Sequence, residues 1–172
     1  MIAVNKKYNN PVFFEKIMKR KYPLVLDFKS EDENMKSFYL KMIHYISKLQ
    51  EEFDFSYPNI PSFNPEKYYK FLRLFNEFLY QLKTLRPSPD EFENSIDVEL
   101  KDNRYITFEL LKTGEFRYAI LKFGEEMIGN IVTFDHFPKA GELAHLFVNE
   151  KVQKIDLLNG DNYIFSINHI YL

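Results

Sequence analysis

The periodicity of the apolar residues changes at Arg86-Pro87-Ser88-Pro89, and this change constrains the fold more than any other feature of the chain. Before it, apolar residues recur at three- and four-residue steps, which is the spacing of an amphipathic helix. From Ser95 onward they alternate with polar residues, which is the spacing of a half-buried strand. The sequence therefore predicts a mainly helical part over residues 1–86 and a mainly strand-forming part over residues 87–172.

Three helices are predicted before the change of period. Each has a start signal, in which a side-chain oxygen can bind the free amides of the first turn. The three helices begin at Asn10-Pro11, at a capping box of Ser30 and Glu33, and at Asn64-Pro65. Leu24-Val25-Leu26-Asp27-Phe28 is predicted to form a short buried strand between the first two helices.

The strands of the second part are joined by short turns such as Asp102-Asn103 and Asn159-Gly160. These connections are too short for helical crossovers, so neighbouring strands should be antiparallel. A short helix is expected to begin at Pro138. The predicted fold is α+β: N-terminal amphipathic helices packed on a C-terminal antiparallel β-meander of about five to six strands, with one short inserted helix. We expect residues 1–172 to form a single domain.

Composition excludes several function classes. The chain contains no cysteine, which rules out a disulfide framework, a thiol nucleophile and thiolate-bound metals. Five glycines leave little room for a glycine-rich phosphate loop, and no nucleophile-elbow motif is present. The N-terminal residues lack the order of a signal peptide, and no apolar run is long enough to cross a bilayer. We therefore expect a cytoplasmic protein without a membrane segment and without a cofactor.

Charge is divided between the two parts of the chain. Residues 1–86 contain 15 Lys+Arg and 10 Asp+Glu, net +5, whereas residues 87–172 contain 8 and 15, net −7. In the acidic part, five carboxylates follow one another with no basic residue between them, and we call them the acidic ridge: Asp90, Glu91, Glu93, Asp97 and Glu99. Such a ridge can bind the cationic surface of a protein partner, and the alternative is that it forms a solvated loop and strand face.

A second candidate for partner binding is the loop between the second and third helices. It holds three apolar side chains, stiffened by Pro58 and Pro61. Rigid aromatic side chains lose little entropy on binding and make good anchors. We call Tyr57, Ile60 and Phe63 the aromatic loop, and the alternative is that they fold back onto the core.

Two other functions remain open. Pro89-Asp90 followed by Glu99-Leu100-Lys101 resembles the loose PD-(D/E)xK pattern of Mg²⁺-dependent nucleases, in which two carboxylates hold the metal and the lysine assists the attacking water. This hypothesis assigns Asp90, Glu99 and Lys101 as catalytic residues. The basic N-terminal residues, with aromatics among them, could instead bind nucleic acid.

A resident metal is not expected. Glu142 and His145 have the Glu-x-x-His spacing of di-iron bundles, but the chain has no second copy of that motif.

The pattern as a whole favours a non-enzymatic protein that binds and occludes a macromolecular partner, as immunity proteins and phage-encoded blockers do. The acidic ridge would meet a basic surface, and the aromatic loop would add an apolar anchor. Enzymatic activity remains open, and the sequence leaves the partner and the oligomeric state unspecified.

Overall fold

A computed structural model describes residues 10–55, 64–124 and 127–170. The fold is α+β, as predicted, with helices in the N-terminal part and a six-stranded antiparallel sheet in the C-terminal part. The chain divides into two compact units, residues 1–70 and 71–172. The division lies inside the third helix rather than at the prolines where the period changes. Within the described residues, no helix is both long and apolar enough to span a membrane.

The first unit contains helices α1 (Pro11–Lys21), α2 (Met35–Phe53) and the first residues of α3 (Pro65–Thr84). The side chains of Asn10 and Asn64 cap α1 and α3, as predicted. A small core joins α1, α2 and the segment between them, and its buried members are Met18, Val25, Phe38 and Met42.

Two local predictions in this unit are wrong. Residues 23–28 form a 3₁₀ helix and not a strand. Pro23 holds its own φ in the helical range, and the amide of Val25 bonds back to the carbonyl of Tyr22. Helix α2 is capped by Asn34, whose side chain accepts from the amide of Ser37, so the predicted capping box lies in the preceding turn. Asparagine is as good an N-cap as serine, and it stands next to the first helical residue.

The second unit contains the sheet, in the order β4-β3-β2-β1-β5-β6. The strands are β1 (Asn94–Leu100), β2 (Arg104–Leu110), β3 (Phe116–Lys122), β4 (Ile128–Phe134), β5 (Val152–Asn159) and β6 (Asn162–Asn168). Strands β1 to β4 form the predicted meander. Strand β5 then pairs with the other side of β1, so the chain crosses the sheet between β4 and β5.

One face of the sheet is covered, and we call it the covered face. The crossing segment contains the short helix α4 (Ala140–Leu143) and a 3₁₀ turn that leads to Phe147. Phe75 of α3, Phe108 of β2 and Phe147 are almost completely buried, and their ring centroids lie 5.1–6.1 Å apart. This aromatic cluster anchors both α3 and the crossing segment on the sheet.

Both edge strands lack charged residues, but each contains a bulge. The register shifts between Tyr118 and Ile120 on the β3–β4 side and between Leu157 and Leu158 on the β5–β6 side. A bulge twists an edge and interrupts its row of free backbone groups, which discourages pairing with another chain.

Candidate functional site on the open face of the sheet

The other face of the sheet carries polar side chains, and we call it the open face. Among the described residues of the second unit, no helix packs on it, and most of its side chains on β1 and β2 are half-exposed. The strand register aligns these side chains in rows that cross the sheet. The central row runs from β6 to β3 through Ser166, Asp156, Asp97, Thr107 and Ala119.

An open groove of about 440 Å³ lies on this face. Its lining includes four carboxylates and one guanidinium: Glu93, Asp97, Glu109, Asp161 and Arg117. On the side of β3 and β4 the lining is apolar except for Arg117, and it contains Ala119, Leu121, Met127 and Ile131. The groove therefore has an acidic wall and an apolar wall.

Asp97 and Asp156 lie directly opposite each other at the centre of the open face. Asp156 is buried, its carboxylate accepts a hydrogen bond from the Ser166 hydroxyl, and it pairs with Lys154 Nζ at 3.1 Å. Asp97 has no such cation among the described residues. Burial raises the pKa of Asp97, and the Asp156 and Glu109 carboxylates raise it further, against the opposing effects of the Thr107 hydroxyl and Lys154.

The carboxylates that flank Asp97 on the neighbouring strands, Asp156 and Glu109, are already paired with cations. Arg117 Nε lies 2.6 Å from Glu109 Oε2, across the β2–β3 pair. Like charges on directly opposed strands are destabilising, and opposite charges are favourable. The Asp97–Asp156 pair is thus the one unfavourable cross-strand carboxylate pair in the described registers of β1.

The structure separates the acidic ridge into residues with different roles. Asp90 is a structural residue, because its carboxylate accepts from the Ser88 hydroxyl at 2.6 Å and from the amides of Phe92 and Asp161 at 2.9 and 3.1 Å. These bonds, led by that of Ser88, lower the pKa of Asp90. Glu93 accepts from the backbone amide of Lys112 at 2.8 Å.

The carboxylates of the remaining ridge residues are more available to a partner. Glu91 is exposed. Asp97 and Glu99 lie on the open face of β1, with Asp97 lining the groove and Glu99 two residues further along the strand. The ridge is therefore a row that begins in the loop before β1 and continues along the open face, and it is not a single cluster.

The three residues of the nuclease hypothesis, Asp90, Glu99 and Lys101, do not lie together in one site. Asp90 binds the turn between β5 and β6, at the end of the sheet where Ser95 pairs with Leu158. Glu99 lies about 13 Å further along β1, near the opposite end. Lys101 lies beyond the strand, in a 3₁₀ turn. No group of three or more potential metal ligands occurs in the described residues. Mg²⁺-dependent cleavage stays a prediction that no contact supports.

Tyr57, Ile60 and Phe63 of the aromatic loop lie outside the described residues. Their proposed role as an apolar anchor stays a prediction.

The side chain of Glu142 binds His136 and not His145, the histidine of the Glu-x-x-His motif. His136 lies between two carboxylates, with Nδ1 2.7 Å from Asp135 Oδ1 and Nε2 2.7 Å from Glu142 Oε1. Hydrogen bonds to Asp135 and then to Glu142 raise the pKa of His136. Since Glu142 also caps the amide of Lys139, this ion pair stabilises the start of the crossing segment.

Sequence reasoning missed the partners that β5, β2 and β3 bring to the open face. Asp156, Glu109 and Arg117 alternate correctly within their own strands, so the sequence places each on a polar face. What it does not contain is the pairing of β1 with β5, which joins residues about 60 positions apart. The groove was therefore not predicted, although one of its central residues, Asp97, was.

Comparison of the chain with protein-family models, with curated proteins and with solved structures found no match.

Proposed function

We propose that this chain is a cytoplasmic, non-enzymatic binding protein that occludes a macromolecular partner, in the manner of immunity proteins and phage-encoded blockers. The partner contributes a basic surface, which docks on the open face of the sheet. The observation that carries the proposal is the acidic groove on that face, where four carboxylates are accompanied by one guanidinium.

The size of the open face supports a macromolecular partner. Six strands at a spacing of about 4.8 Å, each of about seven residues, give a face of roughly 24 Å by 24 Å. Its area is of the same order as the roughly 800 Å² that each partner buries in a standard protein–protein interface. A small ligand would fill only the groove.

The charge of the open face supports a basic partner. Glu91, Glu99 and the groove carboxylates make this region predominantly acidic, since Arg117 and Lys154 offset only part of their charge, and an acidic region would raise the rate of encounter with a cationic surface. Asp90 and Glu93 contribute to this field, but hydrogen bonds within the chain already hold their carboxylates. Direct contact therefore falls to Glu91, Asp97 and Glu99.

The test is a capture experiment with the 172-residue chain on a lysate of its source, eluted in a salt gradient. The informative variant is the double charge reversal Glu91→Lys with Glu99→Lys. Its matched control is Glu51→Lys with Glu77→Lys, which makes the same change in net charge at exposed positions on α2 and α3.

We expect wild type and control to retain one stoichiometric protein to the same salt concentration. The ridge variant should release that protein at clearly lower salt, because exposed charge pairs are screened. A folded ridge variant that elutes like the control would contradict the docking of a basic surface on Glu91 and Glu99. Recovery of nucleic acid alone would instead support the role of the basic N-terminal residues.

A further inference from the structure

The groove on the open face has two walls of different chemistry, and together they specify what part of a partner can enter it. Resting on the proposed function, we infer that the partner inserts a lysine or arginine side chain flanked by an apolar one. The cation binds Asp97, and the apolar group packs against Ala119, Leu121 and Ile131 on the opposite wall.

The apolar wall comes from the two strands furthest from β5. Ala119 and Leu121 project from β3 to the open face, and Ile131 of β4 continues the wall with 47% of its surface exposed. An exposed isoleucine beside a groove gains free energy when a partner covers it. An acidic surface can bind a cation without any apolar residue beside it. Because this groove also has an apolar wall, we expect the partner to present an amphipathic segment.

Of the three carboxylates at the centre of the open face, Asp97, Glu109 and Asp156, Asp97 is the one without a counter-ion among the described residues. Glu109 is held by Arg117, and Asp156 is held by Lys154 and Ser166. Asp97 has the Thr107 hydroxyl, and it faces two other carboxylates. A cation from outside would be paired at Asp97 without displacing an existing ion pair, and it would also offset the repulsion from Asp156.

Binding of this kind depends on pH. The groups that face Asp97 are Asp156 and Lys154 on β5, Tyr105 and Glu109 on β2 and Arg117 on β3, with Glu93 and Asp161 at the end of the groove. In the free chain the pKa of Asp97 is raised, so the carboxyl remains neutral at pH values where an ordinary aspartate is charged. A bound cation favours the charged form, so binding should strengthen as the pH rises through the titration of Asp97.

The experiment uses hexylammonium chloride as the probe, because it joins one cation to an apolar chain. Binding to the full chain is followed by NMR, from the methyl signals of Ala119, Leu121 and Ile131 and from the side-chain carboxyl carbon of Asp97. Methylammonium chloride controls for charge alone, and hexan-1-ol controls for the apolar chain alone.

We expect hexylammonium to shift the methyl signals and to lower the pKa of Asp97, while methylammonium at the same concentration shifts neither. Asp97→Asn should raise the Kd for hexylammonium roughly tenfold, the effect of losing one charge-assisted hydrogen bond, and should leave binding of hexan-1-ol unchanged. Equal Kd values in wild type and in folded Asp97→Asn would overturn the inference. So would an unchanged Asp97 pKa at saturating probe, a result that needs no variant.

Failure of this inference is distinguishable from failure of the proposed function. Glu91 and Glu99 do not line the groove, so the double charge reversal at those positions should bind hexylammonium like wild type. A partner that is released by the charge reversal but binds Asp97→Asn normally would preserve the function and overturn the role of Asp97.

Discussion

The two faces of the sheet are built from alternate residues of the same strands, yet they differ in burial and in the interactions that hold them. On β2, Phe108 of the covered face is fully buried, whereas its neighbours Thr107 and Glu109 on the open face are half-exposed. The covered face is held by aromatic packing with α3 and the crossing segment. The open face is held by a few ion pairs, and at its centre the Asp97 carboxylate has no counter-ion among the described residues.

This difference indicates on which face substitutions lower the free energy of unfolding least. Removing a large side chain from a packed core costs several kcal/mol, whereas a cross-strand pair on an exposed face contributes about 0.2–1 kcal/mol. Substitutions on the open face therefore alter charge and shape with little loss of stability. A binding surface on this face can change while the fold is preserved by the covered face.

The largest effect is expected from Phe108→Ala. The ring of Phe108 contacts those of Phe75, Phe116 and Phe147, and none of the four is more than 1% exposed. Truncation leaves a cavity between the sheet and the elements that cover it. We expect a loss of about 4 kcal/mol in the free energy of unfolding, measured by urea denaturation.

Leu121→Ala is the matched control for Phe108→Ala, because it truncates an apolar side chain on the open face of the adjacent strand. Its side chain is half-exposed, so the expected loss is about 1 kcal/mol. Equal losses in the two variants would show that the covered face does not dominate the stability of the sheet.

Gly160→Ala tests the end of the sheet, where the loop before β1 meets the β5–β6 turn. Gly160 has φ of +60°, and a Cβ there would collide with the Ser88 hydroxyl and the Asp90 carboxylate. Both backbone strain and the loss of the Asp90 hydrogen bonds should follow. We expect a loss of about 3 kcal/mol in the free energy of unfolding.

Comparison of Gly114→Ala with Gly160→Ala separates the effect of backbone strain from the effect of the steric collision. Gly114 also has a positive φ, +92°, but a Cβ there would meet nothing within 4 Å. Strain alone should cost about 1–2 kcal/mol. If both glycine variants lose the same amount, the contact of Asp90 with the β5–β6 turn is not important for stability.

Local signals account for the part of the fold that the sequence predicted. Asn10-Pro11 and Asn64-Pro65 started helices, Asn159-Gly160 located a hairpin whose turn residues are Gly160 and Asp161, and alternation located the strands, because each of these depends on neighbouring residues. Residues 23–28 were predicted wrongly because their apolar run is equally compatible with a buried helical turn. A long-range pairing, that of β1 with β5, had no local signal.

The candidate site follows the same rule. Alternation placed Asp97 and Glu99 on the polar face of β1, and this prediction needed no tertiary information. Asp90 was grouped with them from its charge, but its hydrogen bonds to Ser88 and to the Asp161 amide depend on the distant hairpin. The groove itself requires β2, β3, β4 and the β5–β6 hairpin in register, which the sequence does not specify.

The smallest effect, and the sharpest test of the open face, is expected from Asp97→Asn. Because the pKa of Asp97 is raised in the folded chain, the folded state holds its proton to higher pH than the unfolded state. Stability of the wild type therefore falls as pH rises from the ordinary range of aspartate through the raised pKa. Asparagine removes this dependence, so the variant should be more stable at pH 7.5, by at most about 1 kcal/mol. Urea denaturation between pH 4.5 and pH 7.5 measures the difference.

Glu91→Gln removes the same formal charge from an exposed position and should leave the pH profile of the wild type unchanged. The advantage of Asp97→Asn should shrink as the pH falls, since the folded wild-type chain takes up a proton at Asp97 at a higher pH than the unfolded chain does. A variant that is less stable than wild type at pH 7.5 would mean that the Asp97 carboxylate stabilises the sheet. The Asp97 carboxylate would then already be stabilised by groups of the chain itself, such as Thr107 and Lys154, and would not need a cation from a partner.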